Sequence, residues 1–487
     1  MSDNLKQKAI SGVVWSAIHR FAIVFLGFVS GIVLARLLTP HDYGVIGMLT
    51  IFLAISNTFI DGGFGSALIQ KKNPTDKDYS TIFYWNLGFS TFIYFILFVC
   101  APFIAKFYKL PILTDVLRVQ GLVLIINAAR IVQHNQLRKQ LQFKKVAIIN
   151  LSSNLIALFV TIYLAWKGWG VWALVAQQLL VGFLATLLYW FTSKWKPLFI
   201  FSIESFKELF SFGGFILLSN LFNTICNNIH GLLIGKVYNT STLGFFTKAQ
   251  KTENYSSTFI SSILDQVSYP VLSEAQNEKL RIIFILKKFI RTSAFVTFPL
   301  MFLLILLARP IFFFLYSERW LPSVPYFQIL CLAGIAACLQ NINYFAIAAI
   351  GLSKTLFKWT IVKRISGLFF VIGGLLLFGM YGLLIGTVLT SWIIYLINAS
   401  LVSKHIGYSV WQQFIDLLPI LLISLSAWAF AFFIGKSWDM NMYSKGGIQL
   451  LLFILTFGVL SIIFKIKAYS STKEVLFELL RKIRKQE

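Results

Sequence analysis

The sequence predicts an all-helical, polytopic membrane protein. Two observations predict it. The 487 residues are 57% hydrophobic, with a mean hydropathy of +0.77, above the roughly half-apolar make-up of soluble domains. Apolar runs recur along the whole chain, each near the ~20 residues that cross a bilayer as a helix. Barrel strands would show ~10-residue alternating segments, and none is evident.

Fourteen spans can be drawn. They cover 12–36, 44–68, 81–105, 112–133, 146–166, 170–192 and 209–235. The rest are 243–269, 292–316, 325–350, 361–379, 382–403, 414–435 and 447–466. The eighth is polar for a lipid-facing helix and is kept because its neighbours then obey the charge rule. The spans divide into an N-terminal lobe (1–200), a C-terminal lobe (201–405), two extra spans (406–470) and a tail (471–487). In the tail Val475, Leu476, Leu479, Leu480 and Ile483 form one helical stripe among basic residues. It reads as an amphipathic helix on the anionic leaflet, or as an exposed helix with no partner.

Charge sets the orientation. With the N-terminus in the cytoplasm, 29 of the 43 Lys and Arg fall in cytoplasmic segments and 9 on the other side. That bias predicts both termini inside. It also accounts for the net charge of +25 without a nucleic-acid partner. The four cysteines all lie in apolar runs and read as small buried side chains. Residues 1–10 are mostly polar, with no evident cleavable leader.

An internal repeat is visible. GIVLARLLTPHDYGVIG (31–47) aligns without gaps on GLLIGKVYNTSTLGFFT (231–247), at an offset of 200. Gly31 meets Gly231, Gly44 meets Gly244 and Arg36 meets Lys236. Six intervening spans give both halves one orientation, a parallel repeat of the kind transporters use. Chance likeness of two apolar stretches is the competing reading.

Ionisable groups within spans are costly and functional by default. Arg20, Arg118, Arg130, Lys248 and Lys251 are the five basic residues there. His19 and Arg20 lie about eight residues into the first span, roughly 12 Å deep. The offset maps Arg20 to Asn220, and Asn220, Asn223, Asn227 and His230 share one helical face. That face either lines a wet cavity or glues helices together. Lys248, Lys251 and Tyr255 form a cationic face on the eighth span; solvated surface lysines are the alternative. Asp115 and Arg118 are spaced to pair, and Arg130 is placed to snorkel. Pro270, Pro299 and Pro419 suggest kinked helices, and Gly382-xxx-Gly386 a close helix contact.

In SNTFIDGGFGSALIQKK (56–72), Asp61 ends the second span just before the inner lysines. Asp265, near the inner end of the eighth span, is its counterpart if four residues are inserted. A gate or a helix-packing role fits both better than ion binding. No Walker loop, metal-ligand spacing or Ser/His/Asp set is visible. The chain is therefore expected not to be an enzyme and to hold no cofactor or metal. A coupling cation, H+ or Na+, is left open.

The runs KAISGVVWSAIHRF, VLARLLTPHDYGVIG, FIDGGFGSALIQKK and TIFYWNLG resemble the start of bacterial polysaccharide exporters. These are lipid-linked oligosaccharide flippases of the multidrug/oligosaccharidyl-lipid/polysaccharide superfamily, and the likeness is to the colanic-acid and teichuronic-acid type. It continues through QLRKQLQFKK, QVSYPVLSEAQNEKLR and FLYSERWLPSVPYFQILCLAGI, over most of residues 8–350. The resemblance implies two six-span lobes around a cavity, plus two C-terminal spans. It implies flipping of an undecaprenyl-diphosphate-linked oligosaccharide across the bacterial inner membrane. The partners implied are membrane lipids, that glycolipid and other polysaccharide-assembly membrane proteins. Arg20, Lys248 and Lys251 would hold the diphosphate. A multidrug-type exporter and a peptidoglycan-precursor (lipid II) flippase are the alternatives, and the cavity cations disfavour cationic drugs. A glycan polymerase or ligase would need a large outer loop, and none is long enough.

Overall fold

The computed structural model describes residues 3–436 and 441–464, apart from the side chains of 3–14, 17, 212, 215 and 262–267. The predicted tail helix and the side chain of Asp265 lie outside the described residues. By contact the chain forms two compact units, 1–247 and 248–487. The boundary between the units falls inside one helix.

The first unit holds α1 (Asp3–Leu37), α2 (Pro40–Asp61), α3 (Phe64–Gln70), α4 (Asp76–Tyr108) and α5 (Ile112–Ala128). It continues with α6 (Ile131–Lys139), α7 (Phe143–Trp166), α8 (Val171–Thr192), α9 (Ile203–Val237) and the first turns of α10 (Thr240–Glu274). The second holds the rest of α10, α11 (Lys279–Leu306), α12 (Ala308–Tyr316), a 3-10 turn (Glu318–Ser323) and α13 (Val324–Ala349). It ends with α14 (Ser353–His405), α15 (Val410–Lys436) and α16 (Met442–Ile463).

The predicted spans are largely helical, with 44–68 broken at Gly62–Gly63 and 112–133 between Ala128 and Ile131. Among the described residues, by length and apolarity alone, ten helices can cross a membrane, or twelve if each bent pair is one span. α10 is outside that set because its polar residues lower its hydropathy. α14, at 53 residues, is two helices. The backbone reverses at Gly379 (φ 63°, ψ −142°). On the paired arms a Cβ at Gly374 would lie 2.7 Å from the carbonyl carbon of Gly382, and one at Gly382 equally close to that of Gly374. The predicted close contact at Gly382 and Gly386 is therefore a hairpin contact, with Gly386 against Phe370.

Neither of the two bent helix pairs among the described residues breaks at a predicted proline. α10, α11 and α15 run through Pro270, Pro299 and Pro419. Neighbouring helices can offset the lost hydrogen bond. The bends fall elsewhere, 40° between α5 and α6 and 58° within α9 around residues 212–215. Gly213 sits at the second bend. Its backbone meets the Gly62–Gly63 corner, where a Cβ at Gly213 would lie 2.8 Å from the Gly62 carbonyl oxygen.

The repeat shows up as geometry within the first unit. Thr39 caps α2, accepting from Asp42 N at 3.3 Å, while the Asp42 carboxylate accepts from Thr39 N. At the same positions plus 200, Asn239 Oδ1 accepts from Thr242 N at 2.7 Å. The two turns then meet reciprocally. A Cβ at Gly44 would lie 2.7 Å from the carbonyl carbon of Thr240, and one at Gly244 would lie 2.7 Å from that of Pro40. Residue i of one copy touches residue j of the other and the reverse, the signature of a two-fold contact.

Lys71 ties α3 to α9. Its Nζ is 3.0 Å from Asp78 and 2.8 Å from Glu208. Burial works against the ammonium, but the Glu208 and Asp78 carboxylates hold its pKa above the ordinary value. Lys139 of α6 donates to the carbonyls of Leu68 and Ile69 at the end of α3, where a cation suits the helix dipole.

Two predictions follow from this packing. Gly44→Val and Gly244→Val should each destabilise by about 1–3 kcal/mol through overpacking. Gly88→Val, with nothing within 4 Å of its Cβ position, should not; thermal unfolding in detergent separates the three. Lys71→Met leaves Asp78, 2% exposed, without its cation. It should cost about 1–3 kcal/mol, and Asp78→Asn in the same chain should recover part of the loss.

Candidate functional site

Several polar side chains in the helices form small clusters. In the first unit His19 Nε2 and Asn150 Nδ2 lie 3.3 Å apart. Asn150 Oδ1 accepts from Tyr189 OH at 3.3 Å. The His134 ring meets the Tyr189 ring edge-on at 5.4 Å. The Arg130 guanidinium carbon stands 6.0 Å from the Tyr189 ring centre, and its Nε donates to Asn127 Oδ1 at 3.1 Å. Arg130 therefore turns into this cluster instead of snorkelling. One helix each of α1, α7 and α8, with the α5–α6 bend, supplies the members. The bend between Ala128 and Ile131 swings the polar run QHNQ of α6 inward. Val132, Gln133 and Asn135 are buried as a result.

Arg20, next to His19, is exposed. Of the asparagine face on α9, Asn220 and Asn227 are exposed, and Asn223 and His230 are half-buried. His230 stacks on Phe246 with ring centres 5.7 Å apart. The neighbouring Thr224 hydroxyl lies 3.0 Å from that of Thr58 on α2. Arg118 does not pair with Asp115. It lies over the Phe98 ring at 4.3 Å, and no ion pair joins the two among the described residues.

In the second unit the cationic face divides. Lys248 is 3% exposed. Its ammonium sits 3.8 Å from the Tyr316 ring centre and 5.6 Å from that of Trp320. Tyr316 and Trp320 are themselves buried. The aromatic segment that carries Tyr316 and Trp320 is thus the wall around Lys248. Lys251 is exposed and Tyr255 half-buried. Among these residues Arg20 and Lys251 are the exposed cations.

Asp61 stands at a packed corner. α2 ends there with Gly62 (φ 54°) and Gly63 (φ 74°), both left-handed. A Cβ at Gly65 would lie 3.2 Å from Asp61 Oδ1 and 3.0 Å from Asn135 Nδ2. The glycines make room for the carboxylate beside α6.

Sequence reasoning missed two side-chain clusters and one cavity. Lys363, counted among cytoplasmic cations, is 6% exposed and donates to Asn398 Oδ1. Asn343 and Gln413 exchange hydrogen bonds at 3.1 and 3.3 Å, with Tyr395 OH donating to Gln413 at 3.0 Å. Their partners lie on different helices, so no local spacing reveals them. The third is a polar cavity of about 640 Å³ at the α6–α7 and α8–α9 turns, lined by Asp76, Gln136, Gln140, Lys145, Lys194 and Lys196 among others. No group of three His, Cys, Asp or Glu able to hold a metal occurs among the described residues.

The model of the family described as "Polysaccharide biosynthesis protein" matches residues 33–325. The chain belongs to this family. Across its length it is 27% identical to the teichuronic acid biosynthesis protein TuaB of Bacillus subtilis, covering 98% of this chain and 99% of that protein. It is 24% identical to the lipopolysaccharide biosynthesis protein WzxC of Escherichia coli, over 86% of this chain and 88% of the relative. Against solved structures it matches the lipid II flippase MurJ in an inward closed conformation. The TM-score is 0.75 at 18% identity, over 93% of this chain and 98% of that one. It also matches an inward-facing multidrug transporter of the MATE family, of the MOP superfamily. There the TM-score is 0.63 at 15% identity, over 81% and 98%. At these identities the structures establish the fold: an all-helical, multi-pass membrane protein built like MurJ and the MATE transporters.

Asp61→Asn should lower the unfolding temperature and leave transport unchanged. A transport defect at unchanged stability would place Asp61 in the ion path.

Proposed function

We propose that the protein flips a lipid-diphosphate-linked oligosaccharide across the bacterial inner membrane for surface polysaccharide assembly, by alternating access. Family membership carries the reading, and the relatives named for polysaccharide biosynthesis support it. The chemistry agrees. A diphosphate-sugar head in a bilayer needs cations and hydrogen-bonding groups. Arg20, Lys251 and the exposed Asn220 and Asn227 offer them. Lys248 sits in its aromatic wall and supports the helix that carries Lys251. The charge bias supports cytoplasmic termini. Transport without catalysis on this chain is part of the proposal.

A lipid II flippase is the second reading, and it rests on the shared fold with MurJ. Depletion distinguishes them. A build-up of lipid-linked surface-polysaccharide units supports the first reading, and a build-up of lipid II supports the second.

Arg20→Ala and Lys251→Ala should each reduce surface glycan in a deletion strain, while immunoblots show normal insertion. Each charge-assisted contact is worth about 1.5–3 kcal/mol, so the loss should be about 10- to 100-fold. Normal glycan in both variants removes the diphosphate role from these residues.

A further inference from the structure

One acid in the second unit stands apart from everything above. Glu253 lies on α10, two residues beyond Lys251, yet it is 7% exposed while Lys251 is exposed. Two residues along a helix turn through about 200°, so the two point to different sides of α10. The Glu253 carboxylate accepts a hydrogen bond from Ser257 Oγ, one turn on. Across from it is Gly334 of α13. A Cβ there would lie 2.8 Å from Ser257 Oγ and 3.2 Å from Glu253 Cδ. The glycine therefore leaves the space that the carboxyl group fills.

The groups around it supply no balancing charge. On α13 the titratable neighbours are Cys331 and Cys338, both buried. On α10 itself Lys248 is turned to Tyr316 and Trp320 of the wall, Lys251 is exposed, and Tyr255 is half-buried. Thr252 meets Tyr316 OH at 3.0 Å. No Lys, Arg or His nitrogen is within ion-pair distance of Glu253 among the described residues. A buried carboxyl group in apolar surroundings has to be neutralised, by a proton or by a metal cation. Metal binding calls for several further oxygens, and among the described residues one hydroxyl, Ser257, is hydrogen-bonded to the carboxyl. A proton suffices.

We propose that Glu253 is a reversible proton-binding site that couples proton movement to the transport cycle. The proton comes from water on one side, adds to a carboxylate oxygen, and leaves to water on the other. Protonated, the group packs against Gly334 and Ser257 as seen here. Deprotonated, it favours an arrangement in which α10 has moved off α13 and the carboxylate reaches water. A proton thereby shifts a two-state helix contact, and by linkage the helix position shifts proton affinity. The same helix carries Lys251 toward the ligand, so one moving part serves both. This inference rests on the transport reading, and its tests separate the two.

The direct test is infrared difference spectroscopy of the purified full-length protein during a pH titration. A protonated-carboxyl band should vanish as pH rises and be missing in Glu253→Gln. Gly334→Ala, which crowds the carboxyl, should move the band or its midpoint without removing it. This readout needs no transport. The second test is surface glycan in a deletion strain. Glu253→Gln should cut export by about tenfold or more, within the usual span of coupling effects, while Glu253→Asp keeps part of it with an altered pH dependence. Four results would overturn the proposal: no titrating band assignable to Glu253, wild-type export by Glu253→Gln, equal loss in the Asp variant with an unaltered pH profile, or a band that responds to sodium at fixed pH. Loss of glycan export by the wild type itself would strike the transport reading, and leave the spectroscopic result standing.

Discussion

In hydrocarbon no water is available to pair a backbone N–H or C=O, and each group left open costs several kcal/mol. This constraint governs the whole molecule. It forces every crossing segment into helix, and it decides what the breaks can look like. Where α2 ends at Asp61, two left-handed glycines and the lysine of α6 take up the chain ends. Where α14 reverses at Gly379, the helical bonds resume on either side of one residue. Polar side chains obey the same rule, and gather into clusters such as His19–Asn150–Tyr189 and Asn343–Gln413–Tyr395.

The second organising feature is duplication. Thr39 and Asn239 cap equivalent helices with different chemistry, which shows that the device outlasts the residue. Gly44 and Gly244 are identical for a stricter reason. Each lies against the backbone of the other copy, where any side chain must displace a carbonyl group. The Gly44/Gly244 identity of the sequence alignment thus marks the contact itself.

Much of the architecture was legible in the sequence because bilayer thickness converts directly into run length. The predicted spans are largely helical, and even the polar α10 was placed. What escaped was tertiary. Lys363 reads as a loop cation because it stands beside Arg364 and near Lys358, and its amide partner Asn398 is 35 residues away. Lys248 and Lys251 share a spacing that suggests one face, but only packing shows the first enclosed by Tyr316 and Trp320 and the second left open. Glu253 has no pattern around it. One acid in a polar helix looks solvated until Gly334 of a distant helix is found against it. The two bent helix pairs carry no such mark either, since neither breaks at a proline.

The hairpin at Gly379 bears on how the chain enters the membrane. Its two arms are joined by LLFGMYG, with no connecting loop and no Lys or Arg between them. A ribosome-bound insertion machine would meet no signal there telling it which way the pair should face. Orientation must come from the far ends, where Lys354 and Lys358 stand in the first turns of the first arm and Lys404 in the last turn of the second. The arms are then best regarded as one insertion unit, delivered to the bilayer together and held by the charges at its base.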